Sequence, residues 1–183
     1  MGMTSERASP IVSFYEGRAD HRGRTLERIL AEPDAWLQST HDYIQWVFPL
    51  PERSPYNPSA PVLTRSDIAA FDARPDLRRR LLVAFGRLLD FYGFALAPDR
   101  PGECTITPGR HHARRTARWV TPHDHNFLRI SRILRCLHLL GCPQATTAFL
   151  AVLEELARGD AGRMIGAVTL AYWRSAASGE LPG

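Results

Sequence analysis

Three times the chain opens an apolar run beside a proline and closes it at a glycine: Pro75 to Gly93, Pro122 to Gly141 and Pro143 to Gly159. Proline is tolerated in the first helical turn, where its missing N–H has no helical partner, and glycine supplies the turn that ends a helix. Between these marks apolar residues recur at intervals of three and four. Leu77, Leu81, Leu82, Phe85, Leu88, Leu89 and Tyr92 form the first stripe; Phe127, Ile130, Ile133, Leu134, Leu137 and Leu140 form the second; Phe149, Val152, Leu153 and Leu156 form the third. In the second run Thr121 reads as the cap and Pro122 as the first helical residue. A fourth helix is predicted over residues 162–177, and shorter ones near Leu26–Ala31 and Thr64–Ala73, the latter opening with the capping-box pattern Thr64-x-x-Asp67. No alternating run is long enough for a strand. The expected fold is all-α: a single compact helical domain over residues 1–183, with about six to eight helices and two long irregular loops.

Those loops are the exceptions to the pattern. Residues 49–63, PLPERSPYNPSAPVL, hold five prolines in the thirteen positions from Pro49 to Pro61, which forbids a regular helix and favours an extended wrap. Tyr56 and Asn57 within it point to a packed strap. The second loop, Ala97 to Val120, is rich in Pro, Gly and Arg. Connections this long in a compact domain tend to be functional or disordered.

A chain of 183 residues suits one domain and buries roughly 70% of the surface that its unfolded form exposes. Its net charge of +4 arises from 23 basic residues, every one of them Arg, against 19 acidic ones. The lack of Lys reads as the codon bias of a GC-rich bacterial genome. The N-terminal MGMTSERASP has no apolar core of the signal-peptide kind, and the longest apolar run, residues 164–173, is half a membrane span. A soluble, cytoplasmic protein with no membrane span is expected. Cys104, Cys136 and Cys142 have neither CxxC spacing nor an even count, which suits a reducing compartment.

The stretch Thr40–Pro51, THDYIQWVFPLP, carries the densest cluster of polar and aromatic residues. On a helix from about Thr40, His41 and Gln45 fall on one face, Tyr43, Trp46 and Val47 on another, and Ile44 meets Phe48. Pro49 disfavours helical geometry at Phe48, so the run stops with its bulkiest residues at the exit. Two readings follow. Trp46 and Phe48 anchor the core with His41 buried beside them, or the aromatic residues line a groove for an aromatic-bearing ligand.

Thr40-His41-Asp42-Tyr43-Ile44-Gln45-Trp46-Val47-Phe48-Pro49-Leu50 resembles the THxYIQWLFP motif of the opioid growth factor receptor conserved domain. His125-Asn126-Phe127-Leu128-Arg129-Ile130-Ser131-Arg132-Ile133-Leu134 resembles that family's HNYLRITRIL segment. The order of the motifs, the Pro-rich strap and the run ending in Phe91-Tyr92-Gly93 fit as well, so the resemblance covers roughly residues 30–158. It implies a bacterial member of a helical family whose animal members are described as receptors for a short enkephalin peptide, associated with the nucleus and membranes. This chain has no Lys-rich nuclear signal. The resemblance points to His41, Tyr43, Gln45 and Trp46 as ligand-binding residues beside the strap. Asn126 and Arg129 would be the polar partners that orient an unknown peptide or protein ligand, with Trp46 and Arg129 on neighbouring elements around one groove or one buried network.

Two other classes compete with a binding module. Residues 110–119, RHHARRTARW, carry four Arg and two His without an acid, followed by Arg129, Arg132 and Arg135 at intervals of three. Arg114, Arg115, Arg118 and Arg132 could hold nucleic-acid phosphates while Trp119 stacks on a base. An enzyme finds less support. Asp124 could act as a base, but no Ser or Cys lies in a nucleophile motif, and neither GxGxxG nor a P-loop occurs. His111, His112, His123 and His125 suggest metal only by number: His123-x-His125 at a helix start would point the side chains about 200° apart, unlike the spacings of three or four that zinc uses. No catalytic residue, metal or cofactor is expected.

Overall fold

The computed structural model describes residues 9–97 and 104–179, so part of the second predicted loop lies outside the described residues. The chain divides into two compact units, Met1–Arg80 and Leu81–Gly183, with the division inside one continuous helix.

The first unit is built from short helices: α1 (Pro10–Tyr15), α2 (Leu26–Ala31), α3 (Asp34–Ser39), α4 (Ile44–Val47), α5 (Arg65–Ala73) and the first residues of α6 (Pro75–Tyr92). Their ends are fixed by side chains. Ser9 Oγ accepts from the backbone N–H groups of Ile11 and Val12, and Thr25 caps α2. Thr64 and Asp67 complete the predicted capping box, each side chain taking the other's backbone N–H. The core is aromatic: Phe14 packs on Trp46 and Tyr15 on Phe71, with Ile11, Ile29, Leu37 and Phe48 buried between. The Tyr15 hydroxyl donates to the Val47 carbonyl, closing α1 over α4.

The second unit holds the remainder of α6, β1 (Phe94–Leu96), β2 (Ile106–Pro108), α7 (His112–Thr116), α8 (Asn126–Leu139), α9 (Pro143–Arg158) and α10 (Gly162–Ser178). The last three pack on one another. All six apolar residues predicted for the α8 stripe are buried, as are Phe149 and Leu153 of α9. A chain of ring contacts ties the elements together: Phe85 to Phe149, Phe149 to Tyr92, Tyr92 to Trp119, Trp119 to Phe127 and Phe127 to Trp173. Each indole in this chain finds a backbone carbonyl. Trp119 Nε1 donates to Tyr92 O at 3.1 Å and Trp173 Nε1 to Phe127 O at 3.0 Å.

Four expectations are corrected. Ten helices occur among the described residues rather than six to eight, because α1, α3 and α7 span only five or six residues and are too short to show a period. A two-stranded antiparallel sheet is present, pairing Phe94 with Pro108 and Leu96 with Ile106, within and just before the segment read as a loop. The helix expected from Thr40 begins at Ile44. The helix expected from Pro122 begins at Asn126: His123 takes a left-handed conformation (φ 59°) that breaks the run, and Asp124 Oδ1 accepts the Asn126 N–H at 2.8 Å.

Gly93 shows why α6 must end where it does. Its φ of +94° lies in the left-handed region, and a Cβ there would come within 3.0 Å of both Arg115 Cβ and His112 O. The Gly93 carbonyl in turn meets His112 Nδ1 at 2.9 Å. Gly93→Ala is therefore expected to lower stability by at least about 1 kcal/mol in denaturant unfolding, since strain adds to the lost turn geometry. An unchanged midpoint would contradict this account of the α6 stop.

Candidate binding surface

The first unit's loops are organised around an ion network that begins at a tight turn. Asp20 Oδ1 accepts from the backbone N–H groups of Arg22 and Arg24 at 2.8 and 2.9 Å, folding residues 20–24 back on themselves. Its other oxygen accepts from Arg24 Nε at 2.8 Å and lies 2.7 Å from Nη2, an ion pair on one carboxylate oxygen. Arg24 Nη1 then reaches Asp42 Oδ1 at 2.9 Å, while Arg22 Nε holds Asp42 Oδ2 at 2.7 Å. The Arg24 guanidinium also lies 5.6 Å from the Trp36 ring centre, and Trp36 packs on Tyr43.

Burial opposes ionisation of Asp20 and Asp42. The hydrogen bonds from Arg24, joined at Asp20 by the backbone N–H groups of Arg24 and Arg22, nevertheless hold both carboxyls below the usual carboxylate range.

Asp42 transmits this order to the strap. Its backbone carbonyl accepts Asn57 Nδ2 at 3.0 Å. Gln45 Nε2 approaches Ser54 Oγ at 3.5 Å, Ser54 Oγ accepts the Tyr56 N–H at 3.3 Å, and Ser54 and Asn57 form a bridge across the turn. The Leu63 N–H meets Leu50 O at 3.0 Å, closing the strap at its base. Residues 49–63 are thus a closed surface loop with buried polar pegs, Ser54 and Asn57, and an exposed tip. Tyr56 at that tip is 78% exposed, flanked by exposed Pro55, Pro58 and Arg53.

The residues predicted for the site fall into both units. His41 is exposed. Tyr43, Gln45 and Trp46 are inside the first unit at 0%, 5% and 7% exposure. Because α4 starts at Ile44, His41 precedes the helix and does not share a helical face with Gln45. Trp46 Nε1 donates to His21 Nδ1 at 3.0 Å, the two rings stacked. Gln45 Oε1 has no donor among the described residues. In the second unit Asn126 and Arg129 are buried, joined to each other at 3.3 Å and through Asn126 to Asp124 at 2.8 Å. These five side chains hold loops and helix ends in place; they are not presented to solvent.

The nucleic-acid reading changes most. Trp119 is 1% exposed, its indole N–H taken by Tyr92 O, so no face is open for a base. The sequence showed an aromatic among arginines and could not show that it joins the chain of rings from Phe85 to Trp173. Arg115 pairs with Asp90 at 2.8 Å, while Arg114 and Arg118 are exposed. Arg132 is half-buried, and Arg129 and Arg135, which follow the basic run at intervals of three, are buried. His112 is bound to Gly93 O. No group of three or more metal-ligating side chains occurs among the described residues, and no described helix is long and apolar enough to cross a membrane.

The network that sequence reading missed is Asp20, Arg22, Arg24 and Asp42. Asp20, Arg22 and Arg24 stand two apart around Gly23, a turn spacing, but nothing local links them to Asp42 eighteen residues beyond Arg24.

With this geometry in hand, the chain's relatives can be placed. The family model of the opioid growth factor receptor conserved region matches residues 10–176, so the chain belongs to that family. It is 40% identical over 139 residues to the opioid growth factor receptor of Rattus norvegicus, covering 71% of this chain and 23% of that protein. To the Homo sapiens receptor it is 36% identical over 140 residues, 73% of this chain and 20% of the relative. To opioid growth factor receptor-like protein 1 of Xenopus tropicalis it is 36% identical over 105 residues, 57% and 20% respectively. The chain therefore spans about a fifth of the length of these relatives. No solved structure matches it.

Lowered carboxyl pKa values set an acid dependence. A depressed pKa stabilises the folded state above the unfolded value near 4, and that stabilisation is lost as pH falls through the folded value. Stability should therefore hold from neutral pH to about 5 and decline below about 4. Asp20→Asn should lower neutral stability by roughly 2–3 kcal/mol and flatten the acid decline. Urea unfolding at several pH values reads both; an Asp20→Asn protein with the wild-type acid profile would rule out this network as its source.

Proposed function

We propose that this chain is a peptide- or protein-binding module whose contact surface is the strap at residues 51–59 together with His41. Tyr43, Gln45 and Trp46 position that surface from beneath, and Asn126 and Arg129 do the same for the start of α8. The observation that carries the reading is Tyr56: a large aromatic side chain held almost fully in water by a loop whose backbone is tied at Ser54, Asn57 and Leu63. A pre-ordered aromatic tip loses little entropy on docking, and exposed tyrosines are common anchors of protein contacts. Family membership supports a receptor-type binding role without supplying its ligand.

Two relatives are named as opioid growth factor receptors, which makes an opioid-type peptide the first ligand to test. Such a peptide brings a free amine that needs a carboxylate. Asp42, whose carbonyl holds the strap's Asn57, already accepts from Arg24 and Arg22 on its two carboxylate oxygens. The expected affinity for a Tyr-Gly-Gly-Phe peptide is accordingly weak, worse than about 100 μM. Calorimetric titration measures it, and a stoichiometric low-micromolar isotherm abolished by Asp42→Asn would make the receptor name literal for this chain.

The contact surface itself is tested without knowing the natural ligand. Peptides selected from a random display library on the wild-type chain should lose at least about tenfold in affinity on Tyr56→Ala, whose fold has no reason to change at so exposed a site. Equal binding to both proteins would remove the strap from the proposal.

A further inference from the structure

Trp46 and His21 are joined by a hydrogen bond that a single proton undoes. Trp46 Nε1 donates to His21 Nδ1 at 3.0 Å, and the two rings stack at 5.9 Å with 18° between their planes. An Nδ1 that accepts carries no hydrogen, so the imidazole is the neutral tautomer with its proton on Nε2. The two partners differ in their surroundings. Trp46 is buried in α4 with its ring 5.4 Å from that of Phe14, and its indole makes this hydrogen bond and no other among the described residues. His21 lies in the 20–24 turn and is exposed, so its ring exchanges protons directly with water.

Histidine is the side chain whose ordinary change of charge falls between pH 8 and pH 5. Imidazolium donates from both nitrogens, so on protonation the Trp46 N–H faces another N–H and the bond becomes a repulsive contact. The charges around His21 decide where its ring then turns. On its own turn stand Asp20, Arg22 and Arg24, and before α4 stands Asp42; Phe14 of α1 and Trp46 itself bring no charge. Asp20 is occupied on both oxygens by Arg24 and by the backbone of the turn. At Asp42 burial opposes ionisation, while the hydrogen bond and charge of Arg24, the charge of Arg22 and that of a protonated His21 favour the carboxylate. Arg22 meets Asp42 Oδ2 from a largely exposed position, where an ion pair is weak. A charged His21 therefore turns from Trp46 toward Asp42 and competes with Arg22 there.

We infer that His21 is a proton-operated latch on Trp46, closed when its ring is neutral and open when it is charged. The latch has the strap to act on. Gln45, beside Trp46, approaches Ser54, and the Asp42 carbonyl holds Asn57. The segment that carries both of these contacts is fastened to the 20–24 turn by the arginines on Asp42 and by His21 on Trp46. Mild acid releases the second fastening while Asp42, its carboxyl held below the usual carboxylate range, stays ionised. The latch belongs to the fold and is independent of what the strap binds.

A nuclear magnetic resonance titration of the isotope-labelled full chain from pH 8 to pH 5, following its four indole N–H signals, tests the inference. The Trp46 signal should move upfield along a one-proton curve, while those of Trp119 and Trp173, bonded to backbone carbonyls, stay in place. In His21→Asn the side-chain oxygen stands where Nδ1 stood and accepts at every pH, so the Trp46 signal should not move. A wild-type Trp46 signal that is constant over this range overturns the latch, as does one that moves equally in His21→Asn. Should His21→Asn fail to fold, His21→Phe keeps a stacked ring without an acceptor: its Trp46 signal should lie at the acid position throughout, and one that still follows pH overturns the latch as well.

Discussion

Arg24 is the point on which the first unit turns. A half-buried guanidinium against Trp36 needs its charge matched, and Asp20 and Asp42 do this, taking Nε and Nη1 in hydrogen bonds. The match has a structural consequence beyond charge. Asp20 folds the 20–24 turn, Asp42 begins the segment that becomes α4, and one guanidinium fixes the distance between them. The Asp42 carbonyl then takes Asn57, so the placement of the strap depends on a residue thirty-three positions earlier in the chain. The helices of this unit, four to nine residues before α6, are too short to persist alone. Their geometry comes from this network, from side-chain caps and from the aromatic contacts of Phe14, Tyr15, Trp46 and Phe71.

The second unit is held differently. Its three last helices run for 14 to 17 residues, long enough for apolar stripes to decide their packing. Rings from Phe85 to Trp173 supply a continuous core, and the two indole N–H groups in it are spent on backbone carbonyls rather than left for a partner. Charge enters at the α8 start, where Asp124, Asn126 and Arg129 form a buried line.

This contrast explains what could be read in the sequence. α6, α9 and α10 stand within a residue or two of the positions marked by Pro75, Gly93, Pro143, Gly159 and Gly162, because a period of 3.6 needs several turns to declare itself. The start of α8 was misjudged because Pro122 looks like a first helical residue, while His123 at positive φ delays the helix to Asn126. The hairpin of β1 and β2 was invisible: three-residue strands have no alternation to count. At the candidate surface, the motif residues were legible as unusual but their role was not. A cluster of Tyr, Gln and Trp signals either a groove or the framework beneath one, and only burial separates the two. Arg24 and Asp42 gave no local sign of each other, since their pairing depends on where the chain returns.

The chain belongs to the opioid growth factor receptor conserved-region family, and its first motif lies beside a fixed, exposed loop. The central claim is that the strap is ordered by Asp42 and Asn57, and amide hydrogen exchange measures this at the residues concerned. The N–H groups of Ala60 and Leu63, bonded to Asn57 O and Leu50 O, should exchange slowly in the wild type and many-fold faster in Asn57→Ala, with the α8 amides unchanged. Exchange at the free-chain rate in the wild type would contradict the account.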